Sequence, residues 1–280
     1  MKSLGLLLAC FPLAFPVAAD RLVVAVTVAP QAYLVERLAG DAVEVLVMVP
    51  AGAGGEAEHY SPTPSQMRAL ERCRLYFKVG HRAFSLETVN VEPFLASHRE
   101  IRPVSLAGAE RDSLPGDPHL WLSPRRMARA TGELAQALGE LLPARRAAIT
   151  SRAAELAAEI AELDGELGRR FAAAAEKTFF VNHGSLGYFA RDYGLVQRAL
   201  EDHGREPTAS RLRRLTTELR QRRVPVILVQ DGFSRAAAEV LARDAALELR
   251  GFDPLERDWL AATRRLGDAV AAALAREPGP

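Results

Sequence analysis

The chain has 280 residues, 49% of them hydrophobic and 25% charged, and its 36 Lys and Arg against 35 Asp and Glu leave a formal charge of +1. That length and balance fit a soluble globular protein able to bury a sizeable core in one large or two modest domains. They give no electrostatic footing for a nucleic acid or an anionic membrane as partner, and two cysteines, Cys10 and Cys73, exclude a disulfide framework.

The first segment, MKSLGLLLACFPLAFPVAA (1–19), places one lysine before an apolar stretch and ends in small residues. This is the pattern of a signal peptide removed before Asp20. Pro12 and Pro16 interrupt the stretch and leave it too short to span a bilayer. Leu7-Leu8-Ala9-Cys10 has the look of a lipid-attachment site, but Cys10 stands too near the start for a normal apolar region, so a lipid anchor is not the expected outcome. The rest of the chain is expected to be soluble outside the cytoplasm, with Cys73 a small buried hydrophobe.

Strands and helices then alternate. RLVVAVTV (21–28) is a nearly continuous β-rich run, as in a strand covered on both faces. PQAYLVERLAG (30–40) opens on proline and closes on glycine, the punctuation of a helix. VEVLVMV (43–49) reads as a strand, 51–64 as a loop, and SQMRALERC as a helix capped by its serine. LYFKVG (75–80) and IRPVSL (101–106) complete four strands of a parallel sheet. From about 123 the composition turns to Ala, Leu, Glu and Arg. Ile149, Ala153, Leu156, Ile160, Leu163 and Leu167 form one apolar stripe on a helix expected over 143–175. At 1.5 Å per residue such a helix reaches roughly 50 Å, enough to act as a spine between two α/β halves; an ordinary surface helix broken near Gly165 or Gly168 is the alternative. The βα rhythm resumes with strands at 177–183, 224–231 and 247–253, helices at 185–194 and 233–247, and an amphipathic helix at 258–275. The expected fold is α/β, with two lobes of parallel sheet flanked by helices and joined by a long rigid helix. The expected boundaries are a signal peptide at 1–19, lobes at 20–142 and 176–280, and the linker helix at 143–175.

Of the six histidines, three occupy matching places. His59 lies in a loop before a helix, His119 in another such loop within DPHLWLSP, and His183 closes a strand and precedes a helix. Asp253, in GFDPL, ends the last strand. Ligands of open α/β sheets collect outside the carboxyl ends of strands, and two of these four residues come from each half, so a site made by all four would lie in the cleft between lobes. Imidazole with carboxylate suits Zn(II), and also Mn(II), Fe(II), Co(II) or Ni(II); three nitrogens and one oxygen favour tetrahedral zinc. A lone histidine beside an apolar run can equally be a satisfied core residue, and no local motif of HExxH type is present. Glu58 could supply an oxygen if Asp253 does not, but reads first as a solvated loop acid. His81 reads as a surface residue or a neighbour of the cleft.

In order along the chain, EHYSPTPSQMRAL, DPHLWLSPRRMA, FFVNHGSLGYFARDYGL and GFDPL resemble the zinc- and manganese-binding solute-binding proteins of bacterial ABC transporters. The resemblance covers essentially all of the chain after the leader. It implies two lobes with a rigid helix between them, and metal ligation by His59, His119, His183 and Asp253. It also implies capture of Zn(II) in the periplasm by a monomer and delivery to an inner-membrane ABC permease, with no catalysis. Manganese-preferring relatives tend to carry glutamate where this chain has His183, which implies zinc. Three departures stand out. The stretch AGAERDSLPG (107–116) is short and lacks the His-rich loop of many zinc members; Gly184 stands where the family often has Asp; and Gln230-Asp231 stand where it often has Glu-Pro. The last two take away acids that could orient the imidazoles. Two rival functions remain: Mn(II) or Fe(II) binding, including an accessory part in siderophore iron release, and a secreted zinc hydrolase, which would need a general base beside the metal-bound water.

Overall fold

The protein is described by a computed structural model over residues 21–50, 52–108, 113–201 and 204–275. The N-terminal stretch 1–20 with Cys10, and His203, fall outside the described residues. The first half runs β1 (Leu22–Val26), α1 (Ala29–Ala39), β2 (Val43–Val47), α2 (Pro64–Leu70), β3 (Cys73–Lys78), α3 (Glu92–Ser97) and β4 (Arg102–Ser105). Two helices follow, α4 (Pro124–Leu141) and α5 (Arg146–Ala173). The second half runs β5 (Thr178–Val181), α6 (Gly187–Asp192), β6 (Val196–Ala199), α7 (Ala209–Arg222), β7 (Val226–Gln230), α8 (Ala236–Ala245), β8 (Glu248–Phe252) and α9 (Trp259–Leu274).

Each half holds a four-stranded, all-parallel sheet, ordered β2-β1-β3-β4 in one and β6-β5-β7-β8 in the other. The central strands are the apolar ones. β5 and β7 are buried at every residue and β1 at all but its first, because helices cover both faces of a parallel sheet. The repeated order puts a reversal of strand sequence between β1 and β3 and again between β5 and β7. Loops diverge at such a point and leave a crevice.

α5 is a single helix of 28 residues, about 42 Å long at 1.5 Å per residue. Its buried face is Ile149, Leu156, Ile160, Leu163, Leu167 and Phe171, and neither Gly165 nor Gly168 breaks it. It lies against α1 and α4 of the first half and α9 of the second. The guanidinium of Arg37 grips Glu159 through two hydrogen bonds of 3.0 and 2.6 Å. At the other end α9 approaches closely because it carries Gly267; a Cβ there would run into the Leu167 side chain. One apolar core therefore runs from the first sheet through α4 and α5 to the inner face of the second, where Phe171, Phe179, Tyr188 and Phe189 gather. A smaller cluster built on Phe180, Leu219, Ile227 and Leu241 lies under α7 and α8.

Two tryptophans pin the halves together. Trp121 Nε1 donates to the Pro254 carbonyl at 2.8 Å, and Trp259 Nε1 donates to the Trp121 carbonyl at 2.7 Å. Buried indole N–H groups need such partners. Sequence reading gave no sign of β6 or α7. At α2 it took Ser65 as the cap, whereas Thr63 fills that place: its Oγ1 accepts the Gln66 N–H and Pro64 opens the helix, a position where a missing N–H is harmless.

Candidate metal centre

Glu58 and His59 end a 3-10 turn (Gly54–His59) in the long loop after β2. The Ser85 hydroxyl holds that turn by donating to the Glu58 carbonyl at 2.8 Å. His119 follows the loop after β4 and is packed against Trp121, ring centroids 5.2 Å apart. His183 stands just beyond β5, at the strand-order reversal of the second sheet. Asn182 and Gln230 lock the ends of β5 and β7: Asn182 Oδ1 accepts the Gln230 N–H at 2.7 Å, and Gln230 Oε1 accepts the Ser185 hydroxyl. The His183 ring stacks flat on Phe233, with centroids 3.8 Å apart and planes 11° from parallel.

These elements bring Glu58, His119 and His183 together, each offering a ligand atom within 4.8 Å of the others. Glu58 Oε1 lies 2.9 Å from His119 Nε2 and 3.4 Å from His183 Nε2. The two rings meet nearly edge to face, centroids 5.3 Å apart. The far side of each ring is held by a second carboxylate. His119 Nδ1 is 2.8 Å from Asp117 Oδ1, and His183 Nδ1 is 2.9 Å from Glu201 Oε1. Each ring thus gives its Nδ1 proton to an anion and turns Nε2 inward, the arrangement that fixes tautomer and raises basicity in metal-ligating histidines. His183 Nε2 is buried without a hydrogen-bond partner. A buried, unpaired nitrogen is costly unless something fills its lone pair, and a cation lodged among the three residues would do so.

The charges respond to one another. Burial pulls the His119 pKa down, but Asp117 and then Glu58 outweigh it and hold it up at about 9. His183 is likewise raised, Glu201 and Glu58 prevailing over burial. Burial pushes the Glu58 carboxyl up, yet the two imidazoles hold it well below the usual carboxylate range. The Glu58 carboxylate thus sits between two imidazoles whose proton affinity is raised, so a cation entering among them competes with protons.

The four residues singled out in the sequence fare differently. His119 and His183 converge. His59 is exposed but lines the same cavity, which has a volume of about 440 Å³ and is also bordered by Asp117, Glu201 and Phe233. Asp253 is not brought into this group. Its Oδ1 accepts the Leu255 N–H at 2.8 Å across the turn after β8, and burial, then Asp231, raises its pKa. Glu58 does not stand in solvent as a loop acid; its side chain is 16% exposed. The loss of orienting acids expected from Gly184 and Gln230 is corrected as well. Glu201 takes both the His183 ring and the Gly184 N–H, and Gln230 holds Ser185. Asp117 was legible as the acid two residues before a histidine, a spacing that closes a turn on its own side chain. Glu201, at the end of an unrecognised strand, gave no signal. His81 is buried and uses both ring nitrogens, accepting the Ala83 N–H on Nδ1 and reaching the Leu114 carbonyl with Nε2 at 3.2 Å.

Residues 24–273 match the family model described as ZnuA, zinc-uptake complex component A, periplasmic. A crystal structure of ZnuA, 30% identical, superposes with a TM-score of 0.83 over 91% of this chain and 100% of that one. The Zn(II)-bound ZnuA-like domain of Streptococcus pneumoniae AdcA, 22% identical, shares the fold with a TM-score of 0.77 over 91% and 99%. The zinc-binding lipoprotein AdcA of the same organism is 26% identical over 91% of this chain and 56% of its own length; the chain thus spans about half of the curated relatives it first matches. The Mn²⁺ complex of FpvC from Pseudomonas aeruginosa, 24% identical with a TM-score of 0.74 over 91% and 98%, shares the fold. With the family model matched over 24–273, a range that takes in the cleft and nearly all of both sheets, the chain belongs to the periplasmic ZnuA family of zinc-uptake components.

Proposed function

We propose that this protein captures Zn(II) in the periplasm and delivers it to an inner-membrane ABC permease, acting as a monomer. The observation that carries the reading is the convergence of two carboxylate-braced imidazole Nε2 atoms on one buried carboxylate oxygen. Nitrogen-rich ligation with a single close carboxylate suits zinc better than the oxygen-preferring Mn(II). In this proposal His119, His183 and Glu58 hold the ion and His59, at the cavity wall, closes the set from the first lobe. Asp253 shapes its own turn. The lobes are 20–142 and 176–280, with 143–175 between them. Four protein ligands leave no position for a substrate, which agrees with a transport component and not with a hydrolase. Among the described residues no helix is long and apolar enough to cross a membrane.

The test is competitive titration of the metal-stripped protein with Zn(II) and Mn(II). Zinc is expected to outcompete manganese, His119→Ala and Glu58→Gln to weaken zinc binding strongly, and Asp253→Ala to leave it within a few-fold. Failure of zinc to outcompete manganese removes the zinc assignment. His183→Glu is expected to shift the preference toward manganese.

A further inference from the structure

The two sequence stretches that mark this chain most clearly, DPHLWLSP and HGSLGYF, meet in space at a point other than the ligands themselves. Leu114-Pro115-Gly116-Asp117 is a tight turn, closed by the Asp117 N–H on the Leu114 carbonyl at 3.2 Å. Gly116 takes φ of 79°, as the third residue of a type II turn after proline must. The turn is gripped from both halves. His81 of the first half reaches the Leu114 carbonyl, and Tyr188 of the second accepts the Leu114 N–H on its hydroxyl at 2.9 Å. Asp117 Oδ1 then takes both the backbone N–H of His119, at 3.0 Å, and its ring Nδ1.

The other oxygen of Asp117 lies against Gly187, the first residue of α6. A Cβ built there would fall far inside van der Waals contact of Asp117 Oδ2 and 3.0 Å from Leu114 Cδ1. Gly187 has no positive φ to explain its glycine. The missing side chain is the space in which the aspartate sits.

We propose that Gly187 is a positioning residue for the metal: it seats Asp117, Asp117 aims His119, and the direction of a first-half ligand is thereby set by the second half. This rests on the reading of the cleft as a zinc site.

The experiment is a thermodynamic cycle on the full chain with zinc as probe, using wild type, Gly187→Ala, Asp117→Ala and the double variant. Gly187→Ala is expected to weaken zinc about 10- to 100-fold, as loss of an orienting carboxylate does, and to change the visible absorption of the Co(II)-loaded protein. In the Asp117→Ala background the same change is expected to cost no more than about threefold, because the closest clashing atom is gone and only the tight contact with Leu114 Cδ1 remains. Wild-type affinity in Gly187→Ala, or an equal loss in both backgrounds, overturns the inference. Should Gly187→Ala alone not fold, the double variant against Asp117→Ala decides: affinities within about threefold support the inference, and a further loss of about tenfold or more overturns it. Absence of zinc binding by wild type would instead remove the zinc reading itself.

Discussion

At His119 the donor that would face a metal is also the group that holds a proton, and this fixes the pH behaviour. Its folded-state pKa of about 9 lies above the ordinary 6.5, so the stabilisation it gives the metal-free chain is complete below pH 6.5 and is lost as pH rises through about 9. Glu58 is held below its ordinary 4.5; its contribution is present above pH 4.5 and disappears as pH falls below that value. Thermal midpoints of the chelator-treated protein are expected to fall between pH 6.5 and 9. Zinc affinity should run the other way, rising about tenfold per pH unit up to about pH 9 for one proton displaced from His119, a slope that calorimetry in buffers of different ionisation enthalpy reads directly. Glu201→Gln keeps a hydrogen bond to His183 but removes the charge behind it. It is expected to weaken zinc about tenfold or more while shifting the metal-free melting temperature by only a few degrees. At this scale the sequence yielded His119 and His183 through strand-end logic and family motifs. It did not yield Glu58 in the cluster, since nothing in EAEHY tells a buried acid from a solvated one.

Among the elements, the apolar runs were legible and the polar ones were not. β1 and the stripe of α5 declare themselves because hydrophobic residues recur at the period of the structure. β6, VQRA, alternates exposed and half-buried residues at a sheet edge, and α7 hides three leucines, 212, 215 and 219, among arginines. α5 meets α9 where Gly267 faces Leu167. Gly267→Ala is expected to destabilise the protein by about 1–3 kcal/mol through overpacking. Leu167→Ala in the same chain removes the clashing methyl, so the two changes together should cost less than the sum of each alone, read from the urea midpoints of the four proteins. A Gly267→Ala protein as stable as wild type would mean that α9 shifts without penalty. Leu156→Ala, in the fully buried face of α5, should cost about 2–5 kcal/mol.

For the molecule as a whole, the pin at Trp121 and Trp259 ties the two halves a few residues from His119. Trp259→Phe keeps an aromatic ring but leaves the buried Trp121 carbonyl without its donor. It is expected to destabilise the fold by about 1–3 kcal/mol, read from denaturant unfolding, and to weaken zinc through the same segment. The two-lobed plan was readable because βα alternation occurs on both sides of one long helical stretch; the contacts that set the lobes against each other, such as Leu114 with Tyr188 and Trp121 with Trp259, pair residues far apart along the chain and leave no local pattern.

Glu58 lying between two imidazoles carries one more consequence. Three carboxylates, those of Glu58, Asp117 and Glu201, face two imidazoles there, so the cleft keeps a negative balance even with both rings protonated, and an arriving dication is offset by that balance and by the hydrogen ions it displaces. Loading of this kind is an ion exchange. Its equilibrium should respond weakly to added potassium chloride, since the Coulombic work is balanced inside the cleft and not by the surrounding electrolyte.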